Sequence, residues 1–531
     1  MNRIPRCCRQ KGVLSPFSRA AAPRPPRRYR LVLARLFPIV FLSLLGISAA
    51  HAKSAHSDHS VRRRPSSHRS PANRPAPHHI VVGYLGQWSI YEHFLVKNLV
   101  TSGAASQLDQ INYAQGFVTG GHCSVADPNA DLNLAFSAQD SVDGRPDDPA
   151  TSFHGNLHQL AELKRLHPGL KILISLEGRA SDFAADAQPT ARQAFVASCV
   201  DIFLRGHLAA SPNVAPGTPD QPGLFDGIDL DWEYPGPENA ANFVALLTGL
   251  RREMDALRPG LRLSIAVGPS PGMYPGVDLA AVSLLVDQVG VMNYDYIGPW
   301  SHTTGFLAPL YAAETAQAER GASVERSIVE FKQAGVPASR LLLGLPFYGY
   351  GWKAVNAAGN GLFQAGQGIR GDRPYSYFQT LMAPPSPPPP APFSTPPSTP
   401  ARPPLQPAPA PFRGPSNAPA QAQALAPTPS APAFILFRDP RSHAPWLFDG
   451  STFWTYEDPT SIRYKAAFAV EQGMAGVMAW ELSEDAPDAA LLKAARSGID
   501  KPPASAPRST TPFLAQRSIH HESAKNTAGG N

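Results

Sequence analysis

From Ile80 onward the chain alternates short apolar runs with longer amphipathic stretches. The runs are Ile80–Leu85, Gln110–Val118, Leu170–Leu176, Gly223–Trp232, Leu261–Val267, Gln288–Tyr294, Arg340–Phe347 and Gly476–Trp480. Each has the length of a strand, and most are apolar at consecutive positions, as in strands covered on both faces. Helical periodicity marks Asn156–Leu166, Ala191–Leu208, Ala240–Leu257, Ser323–Ala334 and Ser461–Gln472. Buried strands alternating with helices predict an α/β fold with a parallel sheet. Eight such units predict a closed (β/α)8 barrel of the TIM type. An open doubly wound sheet is the rival, weakened because no G-x-G-x-x-G follows the first run.

The spacing is uneven. The seventh run ends near Phe347 and the eighth begins near Gly476, too wide a gap for one helix, so an inserted module is expected over residues 353–455. Within it, residues 384–432 carry 20 prolines in 49 positions. Such a segment has little to bury and is expected to be extended and disordered. It accounts for much of the chain's excess of proline, 58 of 531 residues.

Charge changes the picture less than the net value of +6 suggests. Of 47 Lys/Arg and 41 Asp/Glu, residues 1–79 hold 16 and one, which leaves 31 against 40 and a net of −9 for residues 80–531. A body of that sign repels phosphate, so nucleic acid is not expected as a partner. Residues 1–52 combine ten basic residues, the apolar run Leu36–Ala50 and a small-x-small site at Ala50-His51-Ala52. They read as an export signal cleaved near Ala52, and the chain as secreted or extracytoplasmic. The membrane would be met only through an uncleaved leader, because the run is shorter than a spanning helix. Residues 53–78 read as a disordered basic arm, 79–500 as the barrel domain and 501–531 as a loose tail. Cys123 and Cys199 remain after cleavage, as a disulfide or as buried thiols. No CxxC or HExxH spacing occurs, so neither metal nor cofactor is expected.

The candidate chemistry lies in Phe225-Asp226-Gly227-Ile228-Asp229-Leu230-Asp231-Trp232-Glu233-Tyr234-Pro235. At the strand period of two, Asp229, Asp231 and Glu233 share one face, and Ile228, Leu230 and Trp232 share the other. Carboxylates climbing the inside of a barrel are costly to bury and repel one another, so at least one is expected to hold a proton near neutral pH. Pro235 should end the strand. That puts Glu233 at the C-terminal end, where barrel sites form, placed to protonate a leaving group. Asp231 and Asp229 lie one and two steps deeper, able to share a proton and tune Glu233.

The segment matches D-G-x-D-x-D-W-E, and here the sequence resembles glycoside hydrolase family 18, the chitinases and their relatives. The resemblance runs from about Val81 to Asp485. It includes Val82-Gly83-Tyr84-Leu85-Gly86-Gln87-Trp88, Ile111-Asn112-Tyr113-Ala114, Val291-Met292-Asn293-Tyr294-Asp295-Tyr296, Gly344-Leu345-Pro346-Phe347-Tyr348-Gly349 and Gly476-Val477-Met478-Ala479-Trp480-Glu481. It implies a TIM barrel with an α+β insertion between strands seven and eight that walls a deep cleft. It implies retaining, substrate-assisted endo-hydrolysis of β-1,4-linked N-acetylglucosamine polymers, with the substrate's acetamide oxygen as nucleophile. Glu233 would be the general acid/base, Asp231 the partner of the acetamide, Asp229 its support, and Asp226 structural. Tyr294 and Asp295, with Met292 on the same strand, would contact the sugar, and Trp480 would floor the subsite. Without the resemblance Trp480 reads as core.

Trp88, Trp300, Tyr348 and Trp352 read as further subsites or as core. Two positions depart from the family pattern. Ser175-Leu176-Glu177-Gly178 has a glutamate where S-x-G-G has glycine, and Asn293 replaces Ser or Thr. The expected partner is an N-acetylglucosamine-containing polysaccharide or oligosaccharide, met by a monomer. The alternatives are an endo-β-N-acetylglucosaminidase acting on other glycans and a non-catalytic chitin-binding lectin, the last disfavoured by the retained Glu233.

Overall fold

In the computed structural model, which describes residues 78–150, 153–313, 322–382 and 434–503, the eight runs form eight parallel strands. They are β1 (Ile80–Gly86), β2 (Gln110–Thr119), β3 (Lys171–Gly178), β4 (Gly227–Leu230), β5 (Arg262–Val267), β6 (Gln288–Val291), β7 (Leu341–Pro346) and β8 (Gly476–Trp480). Each pairs with the next. β1 pairs with both β2 and β8, so the sheet closes into a (β/α)8 barrel. A short strand, His122–Val125, extends β2 as an antiparallel hairpin. The expected leader, most of the basic arm, the proline-rich run and most of the tail lie outside the described residues.

Two strands are shorter than their apolar runs. β4 begins only at Gly227 because Gly223 sits in a turn at φ +81°. It ends at Leu230, although the Asp231 N–H still donates to the Leu176 carbonyl at 3.0 Å. β6 ends at Val291, so Met292 to Asp295 belong to the loop that follows. The helical stretch from Ala191 also breaks. Arg192–Cys199 is α-helical, a wide turn runs through Val200–Leu204, and Gly206 follows at φ +81°. A side chain at Gly206 would meet the Gln221 backbone at 2.2 Å.

The outer face of the barrel is apolar. Ile228, Leu230, Val289, Leu343 and Val477 pack against the surrounding helices. The interior is largely polar. Gln110 bridges to Asn112 at 2.8 Å and Gln288 at 3.0 Å, and accepts from Arg262 at 3.1 Å. These pairs satisfy polar groups that would be costly to bury alone. Helix Pro459–Glu471, which packs on β7 and β8, starts with a capping box. The Asp458 carboxylate accepts from the Ser461 N–H at 2.9 Å, and the Ser461 hydroxyl accepts from the Asp458 N–H at 3.0 Å. Cys123 and Cys199 form a disulfide that ties the hairpin to helix Arg192–Cys199.

Between β7 and β8 an antiparallel sheet is built from Tyr348–Lys353, Gln367–Gly368, Arg373–Pro374, Ile435–Arg438, Pro445–Phe448 and Phe453–Thr455, with helix Tyr375–Met382. The sheet starts at Tyr348, earlier than the expected residue 353. Its first strand alternates Tyr348, Tyr350 and Trp352 with Gly349 and Gly351. The glycines are needed because side chains there would meet the Thr455 carbonyl at 2.4 Å and the Trp454 ring at 2.5 Å. The three aromatics turn to the opposite face and pack with Tyr294, Trp446 and Phe453.

Candidate active site

Asp229 sits at the centre of the barrel, 1% exposed. Three strands supply its donors. Tyr84 Oη of β1 donates at 2.7 Å and Ser175 Oγ of β3 at 2.9 Å, both to Oδ2; Ser264 Oγ of β5 donates to Oδ1 at 2.5 Å. Burial raises the Asp229 carboxyl above the ordinary aspartate range, and these hydrogen bonds oppose the rise without cancelling it.

Asp231 lies one step toward the mouth. Its Oδ1 is buried and accepts no hydrogen bond. Burial raises its carboxyl well above the usual range, and the charges of Glu233, Glu177 and Asp229 add to the rise. Each of these causes favours the protonated form of Asp231. Glu233 follows, exposed at the mouth. Burial and the Glu233 charge raise the Tyr234 hydroxyl, which hydrogen-bonds Glu233. Trp232 points outward as its phase requires, stacked on Phe183 at 5.5 Å. Asp226 is out of phase with the other acids. It binds Lys164 Nζ at 2.7 Å and the Ile172 N–H at 3.0 Å at the opposite end of the strand.

Tyr294 is 6% exposed, and its ring meets Tyr348 edge-on at 6.0 Å. Tyr348 Oη donates to Asp295 Oδ1 at 2.7 Å, which orients Asp295 at the left-handed φ of +61°. Met292 packs at the edge of the same cluster. Asn293 is fully buried and turned away, donating to Ser327 Oγ at 2.8 Å on helix Val324–Gln333. That placement explains how a polar change is accommodated there.

Trp480 is half-buried, its ring 5.4 Å from Tyr84 and 6.3 Å from Trp88. Trp88 Nε1 donates to Glu481 Oε1 at 3.1 Å, and the Gly86 N–H donates to Oε2 at 3.1 Å. Burial pushes the Glu481 carboxyl up to about 7. Trp300 is 54% exposed, edge-on to Tyr350. Trp352 is core, with its Nε1 donating to the Ser301 carbonyl.

The structure therefore gathers Tyr84, Asp229, Asp231 and Glu233 along one line, with Trp88 and Trp480 beside Tyr84. Tyr294, Asp295 and Tyr348 form a second linked group, which Tyr350 extends to the exposed Trp300. Tyr84, Ser175, Ser264 and Glu481 are structural members of the site that the strand pattern alone does not single out.

The geometry is that of a carboxylate-bearing (β/α)8 barrel. The sequence pattern of "Glycosyl hydrolases family 18" matches residues 80–485, and the chain belongs to that family. It is 30% identical to Chitinase C of Streptomyces lividans over 417 residues, which cover 76% of this chain and 57% of that protein. The chain thus spans well under two thirds of that relative's length. It is similar in structure to the catalytic domain of psychrophilic chitinase B from Arthrobacter TAD20, with 25% identity and a TM-score of 0.65 over 80% of this chain and 97% of the other. A family 18 N-acetylglucosaminidase from Paenibacillus barengoltzii matches at 26% identity and a TM-score of 0.55, over 79% of this chain and all of the other.

Proposed function

We propose that this chain hydrolyses β-1,4-linked N-acetylglucosamine polymers, chitin or its oligosaccharides, internally and with retention at the anomeric carbon. The observation that carries the reading is the rising series Asp229, Asp231, Glu233, with Asp231 held up in its protonation by burial and by its acidic neighbours. Glu233, exposed at the mouth, gives its proton to the glycosidic oxygen as the bond to the anomeric carbon breaks. The substrate's acetamide oxygen closes on that carbon, giving a cyclic oxazolinium-type intermediate. Ionised Asp231 accepts from the acetamide N–H and faces the positive charge, with Asp229 and its three donors behind it. Tyr294 donates to the acetamide oxygen. Water then attacks the anomeric carbon from the opposite face, breaking its bond to the acetamide oxygen and regenerating the acetamide, and gives its proton to Glu233, which restores the acid. Asp295, Met292, Trp480, Trp88, Tyr348 and Trp300 are proposed sugar contacts.

The proposed setting is extracytoplasmic, with the chain acting as a monomer. Among the described residues no helix is long and apolar enough to cross a membrane.

The test is mass spectrometry of products from N-acetylglucosamine oligomers, cellulose oligomers and a glycoprotein, run beside Glu233→Gln. The account expects cleavage of the first substrate alone and loss of about 10²–10⁴-fold in rate in the variant, with binding kept. Glycan release from the glycoprotein in place of oligomer cleavage would support an endo-β-N-acetylglucosaminidase. Binding without turnover by the parent chain would support a lectin. A variant retaining more than about a tenth of the rate would remove Glu233 from the acid role.

A further inference from the structure

Away from the barrel mouth, the segment after the His122–Val125 hairpin brings Asp147, His154 and His158 together at the start of helix Gly155–Leu166. One ligand atom from each lies within 4.8 Å of the others. His158 Nδ1 is 3.0 Å from Asp147 Oδ1, and His154 Nδ1 is 3.5 Å from Asp147 Oδ2. The Asp147 side chain is 1% exposed, and His154 as a residue is 9% exposed. Both Nδ1 atoms are buried and neither makes a hydrogen bond. Two buried imidazole nitrogens aimed at one carboxylate without hydrogen-bond geometry call for a partner.

We propose that Asp147, His154 and His158 bind one divalent ion of the zinc class. Tetrahedral zinc with nitrogen ligands at about 2.0–2.1 Å separates its ligand atoms by about 3.3 Å, close to the 3.0 Å between His158 Nδ1 and Asp147 Oδ1, and His154 brings its ligand atom within 4.8 Å of the others. A donor set of two nitrogens and one carboxylate favours zinc or cobalt over calcium or magnesium, which take oxygen ligands. The remaining groups suit the same role. Asp147 Oδ2 is fixed by the Phe136 N–H at 2.9 Å, which leaves Oδ1 for the ion. His158 Nε2 faces Glu162 at 3.9 Å, the outer carboxylate that commonly orients a metal-bound imidazole. A surface cavity lined by Asp143, Arg145, Asp147, Asp148 and His158 gives entry and room for a water ligand. Spacing hides the site, because the ligands are i, i+4 at a helix start with an aspartate seven residues upstream, not HExxH. The ion would fasten the segment after β2, on the face of the barrel that carries the carboxylates, to the helix that follows.

The test strips the full chain with EDTA and titrates it with Co²⁺, reading visible absorption, then displaces Co²⁺ with Zn²⁺ and follows thermal unfolding. The proposal expects one Co²⁺ per chain with tetrahedral-type bands, displacement by Zn²⁺, and a raised melting temperature. The H154Q/H158Q double variant keeps every other histidine and cysteine. It should lose that equivalent while retaining the parent's circular dichroism and hydrolytic rate. H158Q alone disturbs the helix start least and should show the same loss, should the double variant not fold. Absence of a stoichiometric band would overturn the site. So would equal uptake by parent and variants, which would place binding elsewhere in the chain, or a preference for Ca²⁺ over Zn²⁺.

Discussion

Glu177 stands level with Asp231 on the neighbouring barrel strand. Leu176 and Leu230 are register partners, and the next residue on each strand turns into the barrel mouth. Its charge is one of the causes that raise the Asp231 carboxyl. This is the position where the sequence departs from the family's S-x-G-G, and the departure adds a fourth carboxylate to the site.

The consequence is a pH effect with a defined sign. In the proposed mechanism Asp231 is ionised when it accepts the acetamide N–H, and the Glu177 charge holds its proton on to higher pH. Glu177→Gln should move the acid limb of kcat/KM to lower pH. The measurement is a pH–rate profile on a chito-oligosaccharide for parent and variant. An unmoved limb, or one moved upward, would show that Glu177 does not tune Asp231.

Much of this site was legible in the chain. The strand period aligned Asp229, Asp231 and Glu233 and set Asp226 apart, because alternation depends only on neighbours in sequence. What supports Asp229 was not legible. Tyr84, Ser175 and Ser264 lie 145, 54 and 35 residues away, and only barrel closure brings them to one carboxylate. The link from Trp88 to Glu481 spans 393 residues and was hidden for the same reason. The eight strands were legible as apolar runs, but their ends were not. Trp232 is apolar because it packs on Phe183, not because it continues a ladder, so the fourth apolar run extends beyond its strand.

The disulfide between Cys123 and Cys199 closes a loop of 76 residues. Cross-linking a loop of that size restricts the unfolded chain, with an effect of about 4 kcal/mol in the chain-entropy account. The C123A/C199A variant should lose most of that stability in urea unfolding while keeping its circular dichroism. A loss below about 1 kcal/mol would mean that the hairpin is held by packing alone.

Three buried carboxyls give the fold its own pH dependence. Burial raises Asp485 to about 6, Glu481 to about 7 and Asp131 to about 8; Asp131 also accepts a hydrogen bond from Tyr113 Oη. Each folded value lies above the ordinary carboxyl range, so the folded state favours the protonated form. That contribution is complete below about pH 4 and is lost as pH rises through about 6 to 8. The melting temperature should fall between pH 5 and pH 9, and Asp131→Asn should flatten the upper part of that fall. A melting temperature that climbs across the same interval would contradict the assignment.

The central claim is that the substrate's own acetamide is the nucleophile, held between Asp231 and Tyr294. It is tested most directly by sequencing the products cut from partly acetylated chitosan. The account predicts an N-acetylated sugar at essentially every newly formed reducing end, since a glucosamine at the cleavage subsite has no acetamide to attack with. Glucosamine at those ends in proportion to its abundance in the polymer would contradict the mechanism while leaving the barrel and its family intact.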